Sequence, residues 1–414
     1  MKTNAFILAA LQLAAISTVR AEDGAPPKFD LALETRQGVN LDREHALSEL
    51  TVHAGVTWKP AAGWRVRGRT RVMAETELEP SKFGQLRVDE AYVEYAGNDC
   101  STRVGAQQVV WGGADRLRVL DLVHPLDLRE NLFGDPVQSR LPLGMFNTEC
   151  SIGSQSVQWL LIPHSRNNLR PKPGSRFSVP MATDRIAAAN LPVQQGEDPD
   201  WKDPKDWSVG LKWAGRLGSA DVTLNALHGW QADPVTRLES GTGAPVYRAD
   251  SERFSMAGGS IAAPVGPFVL KAEASIVPNA HGYYVTAART VDATRTRERR
   301  ALVGMDYQAT DWFLSTQYYV QHNSAAHKLI EPEWQRVVTL AARREFMQGR
   351  LNLTAYVAHD LTNPAQFLSI ATKYDFGQLW QGSVAFDYFR GKQVSLGRFH
   401  PESRLVFGLR RDFL

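Results

Sequence analysis

Apolar and polar residues alternate with a period of two along this chain, and the pattern recurs up to its last residues. Leu50, Val52, Ala54, Val56 and Trp58 share one side of an extended segment, opposite Glu49, Thr51, His53 and Thr57. Successive side chains of a strand point to opposite faces, so each such row marks a face turned away from water. Trp207, Val209, Leu211 and Trp213 form another row, and Phe268, Leu270, Ala272, Ala274 and Ile276 a third, backed by Lys271, Glu273 and Ser275. Leu368, Ile370, Thr372, Tyr374 and Phe376 repeat the pattern, followed by Trp380, Val384, Phe386 and Tyr388.

Soluble β-sandwiches alternate as well, so connection lengths must separate the possibilities. Short turns are expected at 60–63, 97–99, 153–154, 216–218, 264–266, 309–310, 347–349 and 377–378. Between them lie mostly longer connections: 112–144, 164–205, 231–250, 278–297 and 322–333. Tight turns alternating with long loops are the layout of outer-membrane barrels, whose periplasmic turns are short and external loops long. The expected fold is all-β: a transmembrane, antiparallel, up-and-down β-barrel of about 18 strands, with 16 as the alternative, in the bacterial outer membrane. The first strand (Phe29 to Arg36) and the sixth (Met145 to Ile152) carry the faintest pattern.

Trp58, Trp64, Trp207, Trp312, Trp334 and Trp380 fall at strand ends, where interfacial girdles would place them. The final strand, Arg404 to Leu414, puts Leu405, Phe407, Leu409 and Phe413 on one face and ends the chain, as a signal for barrel-insertion machinery would; Arg411 interrupts it where an aromatic or apolar residue is usual. At the other end Lys2, the uncharged Ala5 to Ile16 stretch and Val19-Arg20-Ala21 read as a secretory signal at 1–21, leaving 22–414 as one barrel domain. The chain has 47 basic and 44 acidic residues, and removing Lys2 and Arg20 leaves 45 against 44. This near-neutral balance argues against a nucleic-acid partner. Lipid and lipopolysaccharide are the expected surroundings.

The segment Gly105-Ala106-Gln107-Gln108-Val109-Val110-Trp111-Gly112 is followed by Asp115, Asp121, His124-Pro125-Leu126-Asp127, Arg129 and Ser139-Arg140-Leu141-Pro142. It resembles a family of proteobacterial outer-membrane proteins catalogued as a domain of unknown function, marked by G-x-Q-x-x-x-W-G, N-P-x-D-x-R and S-R-x-P elements; His124 stands where Asn is usual. The resemblance spans most of the chain in layout, with its specific motifs between Gly105 and Met145. It implies a barrel associated with RND-type inner-membrane exporters of hydrophobic compounds.

The 112–144 connection is unusually apolar: Leu117, Val119, Leu120, Leu122, Val123, Leu126, Leu128, Leu132 and Phe133 are too many to leave in water. It is expected to fold into the lumen as a constriction or a plug, with a short helix over Asp127 to Phe133 after the Pro125 break. Arg65, Arg67, Arg69 and Arg71 share one face of a strand. Each guanidinium at mid-depth in lipid would cost ~2–4 kcal/mol, so this face must line the lumen. Glu90 and Glu94 on the next strand can pair with it, leaving two readings: an anion-attracting pore wall or a stabilising ion-pair ladder. Cys100 and Cys150 lie at the periplasmic ends of neighbouring strands, so a disulfide is expected, tying down the feet of the apolar loop.

Hydrolase, nucleotide and zinc signatures are missing, and the scattered histidines suggest no ligand set. No catalytic residue, cofactor or metal is therefore expected. The acidic run Glu197, Asp198, Asp200, Asp203 and Asp206 reads as solvation, and Arg166, Arg170, Lys172 and Arg176 as candidate lipopolysaccharide contacts. The expected function is an outer-membrane channel or export component for small amphiphilic or hydrophobic molecules, gated by the apolar loop. A structural sheath or docking partner is the alternative, and an outer-membrane hydrolase a more distant one.

Overall fold

The computed structural model describes residues 24–41, 46–75, 85–129, 139–171, 177–178, 186, 191–239 and 244–413. The expected signal at 1–21, Leu132 and Phe133 of the apolar loop, and Lys172 and Arg176 lie outside the described residues.

In chain order the strands are β1 (Ala25–Asn40), β2 (Ala46–Lys59), β3 (Trp64–Glu75), β4 (Gln85–Ala96), β5 (Cys100–Gln107), β6 (Leu143–Ile152) and β7 (Gln155–Ile162). Next come β8 (Val193–Gln195), β9 (Ser208–Leu217), β10 (Ala220–Trp230), β11 (Val235–Glu239), β12 (Val246–Asp250), β13 (Arg253–Val265) and β14 (Phe268–Val285). The last are β15 (Val291–Gln308), β16 (Trp312–Ala325), β17 (Trp334–Phe346), β18 (Leu351–Asp360), β19 (Ala365–Asp375), β20 (Trp380–Gly391) and β21 (Arg404–Asp412). Eighteen of these form one antiparallel sheet, in which β7 pairs with β9 and β10 with β13. It closes where β1, already paired with β2, also pairs with β21 from Ala32↔Asp412 to Asn40↔Arg404. The strand number matches the expectation, and both faint strands are present.

Burial is inverted relative to a soluble protein. Glu49, Thr51, Glu94, Asn147, Glu273, Gln317 and Thr339 point inward and are buried, whereas Leu86, Leu224, Val303 and Leu340 are more than half exposed on the outer face. Lipid covers such a face at no cost. Trp64, Trp312 and Trp380 begin strands at the short-turn rim, and Trp207 and Trp334 stand at the long-loop rim. Arg411 fits among them because its guanidinium lies over the rings of Trp380 (5.1 Å) and Phe413 (4.8 Å), an arrangement suited to the wet edge of the membrane.

The eight expected short turns are all present, and Met347, Gln348 and Gly349 show how tight they are: all three take positive φ in succession. One expected loop is not a loop. Instead of leaving the sheet at 278–297, β14 and β15 stay paired out to Val285↔Val291. Pro278, which has no N–H to give the ladder, falls in a bulge between the pairs Val277↔Glu298 and Ala280↔Thr296. The extended hairpin is held by a small sheet of β8, β11 and β12. Tyr247 Oη donates to Val291 O (2.9 Å), Thr236 N–H to Tyr283 Oη (3.1 Å) and Leu238 N–H to Asp292 Oδ1 (3.0 Å).

Cys100 and Cys150 are register partners and form the disulfide, with Cα atoms 4.0 Å apart. It does not tie the feet of the apolar loop. The bridge closes the short-turn end of β5 and β6, whereas the loop leaves from their opposite end at Gln107↔Leu143.

Outer-face and inner-face substitutions should separate the membrane barrel from a soluble one. Leu340→Arg should destabilise folding into lipid vesicles by about 2–4 kcal/mol in urea titrations. Arg69→Ala, on the lumen side, should change stability by less than about 1 kcal/mol.

Candidate functional site

The β5–β6 connection begins with a structural lock. Gly105 takes φ 128°, and a Cβ there would lie 2.2 Å from Ala91 O, so this close strand approach requires glycine. Gln107 turns inward and is fully buried: its Nε2 reaches Met145 O (3.3 Å), and its Oε1 accepts from Asn147 Nδ2 (3.0 Å). Asn147 Oδ1 accepts from Gln158 Nε2 (3.1 Å), whose Oε1 accepts from the Trp111 indole N–H (2.9 Å). Three side chains on β5, β6 and β7 thus fix Trp111 beneath the wall. Gly112 follows at φ 88°, pressed against the Glu273 carboxylate.

From Trp111 the chain crosses the lumen and docks on β14, β15 and β16. Gly113 N–H donates to Glu273 Oε1, and Lys271 Nζ donates to Gly113 O (3.2 Å). Asp115 N–H donates to Gln317 Oε1 (3.0 Å), and Ser315 Oγ to Asp115 Oδ2 (2.6 Å). Higher on the same wall Ser275 Oγ donates to Val119 O (2.8 Å) and Arg300 Nη1 to Arg118 O (3.1 Å). Val119 and Leu120 carry no solvent exposure. They pack with Met256, Val277, Leu302, Tyr319, Val337 and Phe367, inward residues of β13 to β19. The expectation that this loop folds inward onto the wall is therefore met.

The return limb is organised by His124, which is almost fully buried. Val109 N–H can only donate, so His124 Nε2 accepts from it (2.9 Å) and Nδ1 carries the proton given to Leu141 O (3.0 Å). Burial pushes the imidazole down to about 4, so it is neutral at physiological pH. Pro125 O accepts from Leu141 N–H (2.8 Å), and Arg140 grips Asp121 through a buried ion pair at 2.7 Å. Asp127 binds Arg129 (2.7 Å) and Arg87 (3.5 Å). Asp127 also forms a bridge to Leu169, so its surroundings are extended rather than helical; residues 130–133 lie outside the described residues.

The 163–207 connection also turns inward in part, which its polar composition does not indicate. Asn168 Oδ1 accepts from Leu126 N–H (2.7 Å), and Phe177 packs against Phe389 and Phe399. Arg170 is taken by Asp233 (2.6 Å). In the acidic run, Asp200 Oδ1 caps Lys202 N–H (3.0 Å) and Asp203 Oδ1 caps Lys205 N–H (3.0 Å), so these carboxylates build turns.

The arginine row faces the lumen and is largely neutralised. Arg65 pairs with Glu94 (3.1 Å), Arg67 with Glu90 (2.6 Å), and Arg69 lies 3.8 Å from Glu90. Arg71 pairs with Asp89 (3.2 Å), a residue that strict alternation places on the wrong face. A register shift between Arg69 and Thr70 bulges β4 at Asp89, turning two successive carboxylates inward. Arg87 binds Asp89 as well, and so connects the row to Asp127 and the inward loop. Of the two readings, the geometry is that of a ladder.

Two cavities flank the loop. The larger, about 260 Å3, lies between residues 122–125 and the long-loop ends of β7, β10, β13 and β14. The smaller, about 50 Å3, is lined by Trp111, Leu117, Asp121 and Arg140 among others. Arg118 borders both.

A closed 18-strand barrel with an apolar outer face, rim tryptophans and an inward loop defines a porin-like protein of the bacterial outer membrane. The chain belongs to the family described as protein of unknown function (DUF1302), whose profile matches residues 45–389. Among solved structures it is similar to OccAB1 of Acinetobacter baumannii, with a TM-score of 0.53 at 9% identity over 94% of this chain and 96% of that one. It is equally similar to OccK5 (OpdH) of Pseudomonas aeruginosa, with a TM-score of 0.53 at 10% identity over 95% and 98% of the two chains. Both likenesses are of fold. No curated protein sequence matches the chain significantly.

Loop docking should weaken in acid. His124 is depressed when docked and ordinary when released, so protons favour the released state: docking is fully stable above about pH 6.5 and loses stability as pH falls toward 4, by up to about 3 kcal/mol. Hydrogen exchange of residues 108–129, corrected for intrinsic rates, should accelerate across that window. In His124→Asn, whose amide offers the same donor and acceptor without titrating, it should not.

Proposed function

We propose that the chain is an outer-membrane channel for small amphiphilic or hydrophobic molecules, gated by the 108–142 loop, and that it performs no catalysis. The carrying observation is the two-sided lumen. The wall from β1 to β5 bears ion pairs, among them Arg36–Glu49, Arg67–Glu90 and Arg103–Glu94. The wall from β13 to β20 carries, beside its own ion pairs Lys271–Asp306 and Arg300–Glu298, an apolar patch of Phe254, Met256, Val277, Tyr356, Phe367 and Phe389. This patch is buried with the apolar loop resting on it and is uncovered when the loop lifts. A molecule with one apolar and one polar side can slide between such surfaces while keeping both satisfied, whereas a bare ion gains nothing from the aromatic side.

The gate reading follows from how the loop is held. Its far-wall contacts are separate hydrogen bonds to Glu273, Ser275, Arg300 and Gln317 rather than strand pairing, so it can detach without opening the barrel. The test is planar-bilayer conductance of the refolded protein beside a variant lacking residues 116–129. The intact channel should be closed or flicker, and the deletion should conduct steadily. Silence from both, with the deletion correctly folded, would overturn the gate and favour a structural role.

A further inference from the structure

The 260 Å3 cavity has an asymmetric lining. Its walls are apolar through Leu122, Val123, Ile162, Leu227, Phe254 and Val277. Polar groups gather at two levels. β10 and β14 run toward the long-loop rim, so Gln231, Asp233 and His281 stand at the mouth, with Arg118 and Arg300 deeper.

The charges differ in how they are engaged. Arg300 is held by Glu298 at 2.6 Å, and Asp233 is taken by Arg170. Arg118 has no carboxylate partner within 4 Å among the described residues. Its Nε donates to Asp121 O (2.6 Å) and its Nη2 to His124 O (2.7 Å), leaving the Nη1 edge without an acceptor among the described residues. The carboxylate of Asp121, whose backbone oxygen Arg118 holds, is paired with Arg140. Two backbone carbonyls therefore hold a guanidinium rigidly while leaving its charge uncompensated. Arg166, exposed at the mouth, has no ion-pair partner among the described residues either, and is placed to draw anions inward.

We propose that this cavity binds a small apolar carboxylate, its anionic end on Arg118 and its hydrocarbon part against Leu227, Phe254 and Val277, as a station on the route through the barrel. The proposal rests on the channel reading and narrows its cargo. A monoanion suits the site because Glu298 and the neutral His124 share the lining, and a dianion would be repelled once Arg118 was matched. Size agrees: about 260 Å3 lies just under the ~300 Å3 at which small-molecule pockets usually begin, enough for one ring or a short branched chain.

The test is calorimetric titration of the full barrel in nanodiscs with benzoate and with its neutral isostere benzamide. Benzoate should bind saturably and more tightly than benzamide. Arg118→Met should weaken benzoate by about tenfold or more, as expected for losing a charge-assisted hydrogen bond, and weaken benzamide by much less. Because Arg118 also braces the loop, a second variant reads the cavity from the wall: Leu227→Trp should abolish binding of both probes with the loop bonds untouched. Equal benzoate affinity in wild type and Arg118→Met, or no saturable binding in a barrel that conducts, would overturn the proposal alone. Saturable, Arg118-dependent binding in a barrel that conducts under no condition would uphold the carboxylate site and overturn the channel reading, and with it the role of the site as a station on a route.

Discussion

Hydrocarbon offers no hydrogen bonds, and the rest of this structure depends on that constraint. Each backbone N–H and C=O at membrane depth must find a protein partner, so a sheet can cross a bilayer only if it has no free edge. Pairing of β1 with β21 supplies the closure. Once the ring is closed, the period-two pattern has only one consistent orientation. Leu224, Val303 and Leu340 go to lipid, and Glu94, Glu273 and Gln317, too costly to expose to hydrocarbon, go inside.

The inward loop obeys the same rule in another form. Irregular backbone is tolerated at membrane depth only where protein surrounds it, and its polar groups must then be met by side chains. This explains the buried polar residues on β14 to β16. Glu273 and Gln317 receive loop N–H groups, while Lys271, Ser275 and Arg300 donate to loop carbonyls. The wall and the loop thus form one hydrogen-bonded unit, completed at the root by Gln107, Asn147, Gln158 and Trp111. Arg118 belongs to this unit through two carbonyls and still has donor capacity left.

Local rules make the fold legible, and long-range docking hides much of the site. Alternation and turn spacing identify the strands because each is a property of neighbouring residues. The Cys100–Cys150 pair is foreseeable because β5 and β6 are adjacent, though the loop it is expected to clamp leaves from the other end. Asp89 escapes the alternation because a bulge changes which face a residue occupies without leaving a mark in the pattern. The 278–297 segment reads as a loop because Pro278 ends most strands, and its continuation depends on Tyr247 and Leu238 from distant segments. Nothing near Glu273 or Gln317 in sequence announces that residues 113–115 will settle on them, and Phe177 gives no sign that its loop returns to the lumen.

Engineered cross-linking of the loop to the far wall tests the central claim most directly. With Cys100 and Cys150 replaced by Ser, the pair Asp115→Cys and Ser315→Cys joins positions whose side-chain oxygens lie 2.6 Å apart in the native protein. If the loop crosses the lumen, this pair should oxidise readily in native outer membranes, and a control pair placing one cysteine on the opposite wall at Thr57 should not. A thiol at position 115 that reacts with impermeant reagents added from outside, and never links to the thiol at position 315, would contradict the account.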